Sequence, residues 1–179
     1  LVPGYEARIV DDNDQPVATG EIGNLLIKGD SVTSRYWNQP ERTAAAITDG
    51  WIRTGDQGVL DGDGYLTITG RLKEIINRGG EKVSPREVDE VIMDHPLVAQ
   101  VVTFAMPHDK LGEEVAAAVV LSADAEAETG TAEQDIRAFV GKRLAAFKVP
   151  RKIVILDDIP KGATGKLQRI GLAEKLGLG

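Results

Sequence analysis

The segment with the clearest chemical potential in this 179-residue sequence is Pro160–Arg169. It runs Pro-Lys-Gly-Ala-Thr-Gly-Lys-Leu-Gln-Arg. Its two glycines allow a loop to approach a ligand closely, and Lys166 beside the second glycine can bring a mobile positive charge to a phosphate or a carboxylate. The spacing is not that of a Walker P-loop, because no Ser or Thr follows the lysine. From composition alone, a surface loop before a terminal helix is the simpler interpretation.

Two segments upstream carry groups that suit a nucleotide. Asp56 follows a glycine, so its carboxylate can accept two hydrogen bonds from a ribose diol or can stabilise its own turn. Arg71 lies two residues before Lys73, and its guanidinium can clamp a phosphate or pair with Glu74. Both pairs of alternatives stay open at the level of the residues.

A glycine pair follows these charged residues. Gly79 and Gly80, before Glu81, form a wall without side chains past which a narrow ligand chain can slide. An ordinary turn with positive φ also requires glycine. The two histidines, His95 and His108, have no metal-ligand spacing, and we predict structural roles for both and no metal site.

Composition limits the classes of function. The net charge is −7 and the sequence has no cysteine, which disfavours nucleic-acid binding and excludes disulfides and thiol nucleophiles. No apolar run reaches the roughly 18 residues that span a bilayer, and a cytoplasmic location fits this composition. From Lys148 onward, 7 basic residues stand against 3 acidic ones, which suits a small phosphorylated ligand. The first residue is not Met, which suggests a piece of a longer protein.

The elements that must position these residues change in type near residue 70. Before it, short strands separated by turn signals predict an incomplete antiparallel β-barrel subdomain. The predicted strands are Tyr5–Val10, Asn24–Lys28, Trp51–Arg53, Gly58–Leu60 and Tyr65–Thr69, with a short helix over Pro40–Ile47.

After residue 70 the pattern predicts a small α+β domain. Ser84 suits an N-cap, Pro85 the first helical position and Glu87 the end of a capping box, so a helix is expected to run to about Asp94. The other predicted elements are strands over Val98–Ala105, Glu114–Leu121 and Lys152–Leu156, helices over Thr131–Ala145 and Leu167–Leu176, and an acidic loop over Ala123–Gly130. We therefore predict domains at 1–70 and 71–179 with a hinge at 70–73.

Taken in this order and spacing, the segments resemble the adenylate-forming enzyme superfamily. That superfamily contains acyl-CoA synthetases, the adenylation domains of nonribosomal peptide synthetases and firefly luciferase. Each landmark is weak alone, but the ordered set covers the whole chain. The landmarks are Val2–Tyr5, Gly20–Gly23, Tyr36–Asn38, Gly50–Asp56, Gly62–Gly64, Gly70–Pro85 and Lys161–Arg169.

The resemblance implies a two-step reaction of a carboxylic acid. ATP and the acid form an acyl-adenylate and pyrophosphate, and after a rotation of the C-terminal domain a thiol, usually that of CoA, takes the acyl group. The implied cofactors of the parent enzyme are ATP, Mg²⁺ and CoA. The implied roles are ribose binding for Asp56, ribose or α-phosphate binding for Arg71, the pivot for Lys73, stabilisation of charge in adenylation for Lys166, the pantetheine tunnel for Gly79, Gly80 and Glu81, and CoA nucleotide contacts for Phe147 and Arg151.

The resemblance also implies what the sequence lacks. The family's Ser/Thr/Gly-rich phosphate loop, adenine segment and acyl pocket would lie upstream in an N-terminal domain, so we expect these residues alone to be inactive and to bind no cofactor tightly. The motifs over Ile76–Pro85 and Pro160–Arg169 are most similar to those of acyl-CoA synthetases, including the branch that resembles oxalate–CoA ligase. A carrier-protein acceptor in place of CoA and a non-catalytic binding module remain alternatives. Acetylation of Lys166 by a lysine acetyltransferase, and its reversal by a deacetylase, would be a means of regulation.

Overall fold

The chain folds as two compact units, Leu1–Lys73 (unit 1) and Glu74–Gly179 (unit 2). The structure is a computed structural model that describes residues 2–123, 129–162 and 165–179. Within these ranges, no helix is long and apolar enough to cross a membrane.

Unit 1 is an open, curled antiparallel sheet, which confirms the predicted incomplete barrel. The sheet order is β1-β2-β4-β3, and β5 pairs with β4. Its small core contains Ile9, Leu25 and Trp51, and the Arg8 guanidinium lies 4.1 Å from the centre of the Trp51 ring. The elements are β1 (Tyr5–Val10), β2 (Gly23–Gly29), α1 (Pro40–Ala46), β3 (Ile47–Thr48), β4 (Trp51–Leu60) and β5 (Leu66–Arg71).

The prediction of two strands over Trp51–Arg53 and Gly58–Leu60 was wrong, because β4 runs through both. Gly55 has a φ of +77°, and the register of β4 shifts against β2 and against β5 in this region. These residues therefore form an irregularity inside one strand rather than a turn between two. The irregularity lies directly before Asp56.

Unit 2 is the predicted α+β domain, built around the strand β9. β8 pairs with β9 antiparallel along its length, and β10 pairs with it in parallel. A hairpin of β6 and β7 joins β9 through the pair Arg78–Gly112. The elements are β6 (Ile76–Arg78), β7 (Glu81–Val83), α2 (Pro85–Met93), β8 (Val98–His108), β9 (Gly112–Leu121), α3 (Thr129–Gly141), β10 (Lys152–Ile155) and α4 (Leu172–Lys175).

Strand β9 is buried on both faces, which explains its continuous apolar sequence. Val115, Ala117 and Val119 lie in a cluster with residues of α2 and α3. The alternate residues Ala116 and Ala118 lie in a second cluster with Ile159 of the C-terminal segment. Since successive side chains of a strand point to opposite faces, helices cover one face and the C-terminal segment covers the other.

The ends of several predicted elements differ from the structure. Ser84 is the N-cap of α2 and Pro85 its first residue, as predicted, but both carboxylate oxygens of Glu87 accept hydrogen bonds from Lys148 Nζ, at 2.7 and 2.8 Å. α4 begins only at Leu172, because Gly171 before it is in the left-handed region with a φ of +76°. The predicted loop over Ala123–Gly130 lies partly outside the described residues.

Candidate functional site

The loop that carries Lys166 closes as a tight hairpin. Lys161 and Leu167 form an isolated bridge, and the Gly162 amide donates to the Lys166 carbonyl at 2.8 Å. Gly165 has a φ of +75°, which explains the second glycine of the motif. Lys166 is exposed, and its ammonium group has no hydrogen-bond or ion-pair partner in the part of the chain that the structure describes. Ala163 and Thr164 of the motif lie outside the described residues.

Beyond the hairpin, the guanidinium of Arg169 enters a partly buried cluster. Its Nη1 lies 2.6 Å from Asp89 Oδ2 on α2 and donates to the Thr103 carbonyl of β8 at 3.1 Å. Its Nε donates to Glu74 Oε2 at 3.0 Å. Asp89 Oδ1 also accepts the Thr103 amide at 2.6 Å. This cluster of Glu74, Asp89, Thr103 and Arg169 is the Arg169 cluster below.

Burial controls the electrostatics of the Arg169 cluster. The side chains of Arg169 and Asp89 are 21% and 14% exposed. Burial raises the pKa of Asp89 above its ordinary value, although Arg169 and Thr103 favour the ionised form. The sequence prediction missed Asp89. The available signal was its position between Val88 and Ile92, which are buried on the apolar side of α2.

The glycine pair forms the turn of the hairpin β6–β7. Gly79 and Gly80 have φ values of +60° and +99°. A side chain at Gly79 would also bring its Cβ within 2.8 Å of Leu111 Cδ2. The turn therefore explains the glycines by itself, and the pantetheine-tunnel role stays a prediction. Gly79, Gly80 and Glu81 are all exposed.

A buried ion pair holds the same hairpin to β9. Arg78 Nε lies 2.5 Å from Glu114 Oε1, and the Glu114 side chain is 4% exposed. Burial opposes ionisation of Glu114, but hydrogen bonds from Arg78 and from the Val115 amide hold its pKa below its ordinary value. Glu114 therefore keeps its charge inside the fold. The sequence did not predict this pair.

One cavity of about 180 Å³ connects the hairpin with the segment that contains Arg151. Arg137 shapes it by donating to the Pro150 and Arg151 carbonyls. Arg151 is exposed, whereas Phe147, in a short 3-10 helix over Ala146–Lys148, is partly buried and does not line the cavity. The structure thus brings Arg151 close to Arg78, the residue before the glycine turn. The lining residues are Arg78, Glu114, Arg137, Ala146, Val149, Pro150 and Arg151.

In unit 1, Arg71 and Asp56 face each other across the β4–β5 ladder. Arg71 Nε lies 3.0 Å from Asp56 Oδ1, and their side chains are 69% and 23% exposed. Glu74, which the sequence offered as an alternative partner of Arg71, belongs to unit 2 and pairs with Arg169. Lys73 lies in a 3-10 turn over Leu72–Glu74, is exposed and is the last residue of unit 1.

The two histidines of unit 2 contact neighbouring residues through their rings. The His95 ring contacts Phe139 edge-to-face with centroids 4.8 Å apart, and its Nδ1 accepts the Leu97 amide at 3.2 Å. Burial lowers the pKa of His95. The imidazole is therefore neutral at pH 7. The His108 Nδ1 accepts two loop amides, those of Lys110 and Leu111.

Comparison with known proteins adds to this geometry. The family described as AMP-binding enzyme C-terminal domain matches residues 87–166. The chain is 48% identical to an oxalate–CoA ligase of Arabidopsis thaliana over 93% of its own length and 32% of the relative's. It is 38% identical to a long-chain-fatty-acid–CoA ligase of Bacillus subtilis over 97% of its own length and 30% of the relative's.

Solved structures of CoA ligases are similar to this chain as well. A benzoate CoA ligase from Burkholderia xenovorans superposes with a TM-score of 0.84 at 38% identity, over 96% of this chain and 34% of the other. The chain spans about a third of the length of the curated relatives it matches. These proteins are CoA ligases, and the similarity extends over both units.

Proposed function

The chain belongs to the adenylate-forming superfamily of acid–CoA ligases, and we propose that it supplies such a ligase with its mobile C-terminal domain and with the last part of its nucleotide-binding domain. The reaction has two steps. A carboxylate and ATP give an acyl-adenylate and pyrophosphate, and CoA then gives acyl-CoA and AMP. The proposed domains are 1–70 and 71–179, with Lys73 at the pivot of a hinge over 70–73.

The observation that carries this proposal is the arrangement of two exposed segments around β9. The Thr103 amide and carbonyl of β8 bond to side chains of the Arg169 cluster, so they face away from β9. The Lys166 loop therefore leads to the outer edge of β8. The β6–β7 hairpin joins β9 on its other edge, because β8 occupies the first. With strands about 4.8 Å apart, the two edges are separated by roughly 10 Å.

This separation suits two steps at one site. Adenylation requires the positive charge of Lys166 near the carboxylate and the phosphates, where it stabilises developing negative charge. Thioester formation requires the Gly79–Gly80 turn there instead, so that pantetheine can reach the adenylate. One rigid domain does not offer both edges to a single site. A rotation about a short hinge exchanges them.

The two groups proposed to bind the nucleotide, Asp56 and Arg71, pair with each other in the structure. The ribose hydroxyls would donate to Asp56, and Arg71 would turn to the ribose or the α-phosphate. Both groups would give up their mutual contact of 3.0 Å, which costs little because Arg71 is mostly exposed. Mg²⁺ would accompany the ATP phosphates. We assign it no ligand, since the described residues include no group of three or more His, Cys, Asp or Glu that could hold a metal.

For CoA, we propose that Glu81 and the glycine turn line the pantetheine path and that Arg151 binds a phosphate of the nucleotide. Phe147 would contact the same nucleotide. The cavity that joins Arg151 to Arg78 supports this arrangement, because it links the expected phosphate site with the start of the turn. The proposed acid substrate is either a small carboxylate such as oxalate or a fatty acid, which would place the enzyme in fatty acid metabolism. These are the two substrate types in the names of the relatives given above.

The 179 residues alone are proposed to be inactive. Their sequence contains no Ser/Thr/Gly-rich phosphate loop and no acyl pocket that we can identify, so the full activity requires an N-terminal domain. If the residues were instead a free-standing binding module, calorimetry of this chain would detect tight binding of AMP or CoA. If the acceptor were a carrier protein, the full-length protein would transfer the acyl group to a phosphopantetheinyl carrier faster than to CoA.

The test of the function is a comparison of half-reactions in the full-length protein that contains this chain. Lys166→Ala is expected to lower ATP–pyrophosphate exchange by about 100- to 1,000-fold, because it removes a charge that acts on the transition state. Thioester formation from a preformed acyl-adenylate should be nearly unchanged. Lys166→Gln, which has the neutral amide that acetylation would leave, should behave in the same way and would support regulation by acetylation.

Lys161→Ala is the matched control. Lys161 lies in the same hairpin, but its ammonium group pairs with Asp158 at 3.4 Å, so its loss should leave both half-reactions close to wild type. Normal pyrophosphate exchange in Lys166→Ala would refute the role of Lys166. A wild-type protein that exchanges no pyrophosphate with oxalate, aromatic or fatty acids would refute the proposed function itself.

A further inference from the structure

From Gly165 to Gly171, just before α4, Arg169 is the one residue that is not exposed. Residues 165–168 and residues 170 and 171 are all exposed, whereas Arg169 is partly buried. The neighbouring apolar side chains of Leu167 and Ile170 are 43% and 63% exposed. Neither apolar side chain of this stretch is buried in the core of unit 2. The polar contacts of Arg169 fix the stretch to unit 2 instead.

Those contacts join three parts of unit 2 that are distant in sequence. Asp89 belongs to α2, Thr103 to β8, and Glu74 is the first residue of unit 2, directly after the pivot Lys73. The guanidinium bonds to two carboxylates and one carbonyl through Nε and Nη1, an arrangement that needs its planar fork. A lysine ammonium at this position keeps the charge but does not reproduce the fork.

We propose that Arg169 is a positioning residue for adenylation, one that fixes the Lys166 loop to Glu74, directly after the hinge, and to the outer edge of β8. This proposal rests on the proposed role of Lys166. When the hinge turns, Glu74 moves with unit 2 and carries the loop with it through Arg169. Lys166 then arrives in a defined place although its own side chain is exposed. The thioester step uses the other edge of the sheet and does not need this contact.

The test compares half-reactions of Arg169→Lys with those of the full-length wild type. The variant keeps the positive charge among the carboxylates but loses the fork. We expect ATP–pyrophosphate exchange to fall by about 100-fold, the scale of a misplaced catalytic group, mostly in kcat. Thioester formation from preformed acyl-adenylate should stay within about threefold of wild type, since misplacement of Lys166 does not affect it. Glu74→Gln, at the more exposed end of the cluster, should show the same selectivity with a smaller loss.

Glu90→Gln is the matched control. It also removes a carboxylate that pairs with an arginine, Arg86, but on the exposed side of α2. Its half-reactions should equal those of wild type. Equal losses of both half-reactions in Arg169→Lys, or no loss in either, would overturn the proposal.

Hydrogen exchange provides a measurement that does not depend on activity. In Arg169→Lys, the amides of Gly162 and Gly165, which close the hairpin, should exchange at least about tenfold faster, while the amides of β9 should keep their protection. Unchanged exchange at both glycines would overturn the proposal even if the wild-type protein were inactive in the half-reactions. If the wild type were inactive but Arg169→Lys exchanged faster at these glycines, Arg169 would still be shown to position the Lys166 loop, whereas the proposed function would be refuted.

Discussion

Replacement of Arg78 by alanine should destabilise unit 2 strongly. The substitution leaves the Glu114 carboxylate with a 4% exposed side chain and without its guanidinium partner. Among the residues that the structure describes, only the Val115 amide, at 3.0 Å, would still donate to it. Breaking a buried ion pair from one side costs about 3–5 kcal/mol, because the remaining charge is desolvated.

The structure places the expected cost near the lower end of that range. The Arg78 side chain is 29% exposed, so water can reach part of the space that it leaves. We therefore expect a loss of about 3 kcal/mol in the free energy of unfolding of unit 2. For a domain of this size, such a loss lowers the melting temperature by roughly 15 °C.

The pH dependence of the loss identifies its cause. In the wild type the pKa of Glu114 is lowered, so the pair's contribution is complete above the ordinary value of 4.5 and is lost as the pH falls through the lower, folded-state pKa. In Arg78→Ala, burial without a partner raises the pKa of Glu114, and the penalty appears as the pH rises. The difference between the two proteins should therefore be larger at pH 7 than at pH 4.

The assay is denaturant unfolding at both pH values, with hydrogen exchange of the β9 amides as the probe of unit 2. Trp37 and Trp51, the two tryptophans of the sequence, belong to unit 1, so their fluorescence follows that unit separately. Arg86→Ala, which breaks the exposed pair with Glu90, should cost no more than about 1 kcal/mol.

A double variant tests the same cause in another way. Arg78→Met combined with Glu114→Gln removes both charges and should recover most of the stability lost in Arg78→Ala, because no buried charge remains. The reasoning is refuted if Arg78→Ala loses less than about 1 kcal/mol, or if it loses the same amount at pH 4 and pH 7.

Two further predictions concern the backbone and a histidine. Gly80→Ala should cost about 1–2 kcal/mol from backbone strain alone, since Gly80 has a φ of +99° and a Cβ there meets open space. Gly62 also faces open space but has no positive φ, so Gly62→Ala should cost less than about 0.5 kcal/mol in the same unfolding assay. Because burial lowers the pKa of His95, the unfolded chain binds a proton more readily than the folded one, so stability should fall as the pH drops below 6.5. His95→Gln should reduce this slope between pH 7 and pH 5, and an unchanged slope would contradict the assignment.

Sequence patterns predicted the parts of the fold that local chemistry decides. The strand β1 begins and ends at the predicted residues, and Ser84 with Pro85 starts α2 as expected. The pattern failed where tertiary contacts decide. β6 and β7 have three residues each, too few for a periodic signal, and they are held by Glu114 and by the Leu111 carbonyl from a later part of the chain.

In the candidate site, too, local features were predictable from the sequence and long-range contacts were not. Residue types and spacing singled out Lys166 and the glycine pair, because a charged group on a loop and a glycine turn are local features. The partners of Arg169 were not readable, since Glu74 lies 95 residues away and Thr103 lies 66 residues away. A carboxylate on the apolar side of α2 was the one local sign of the cluster.

The packing of β9 explains why the proposed function needs a moving domain rather than a moving loop. Both faces of this strand are buried, so the loops that could meet a ligand lie only at the edges and ends of the sheet. Close-packed cores do not deform continuously, and an exchange of edges inside unit 2 would require repacking of both clusters. A rotation about the proposed hinge over 70–73 requires none. The lysine loop must then move as one body with unit 2, and the contact of Arg169 with Glu74 provides that connection at the point where the hinge ends.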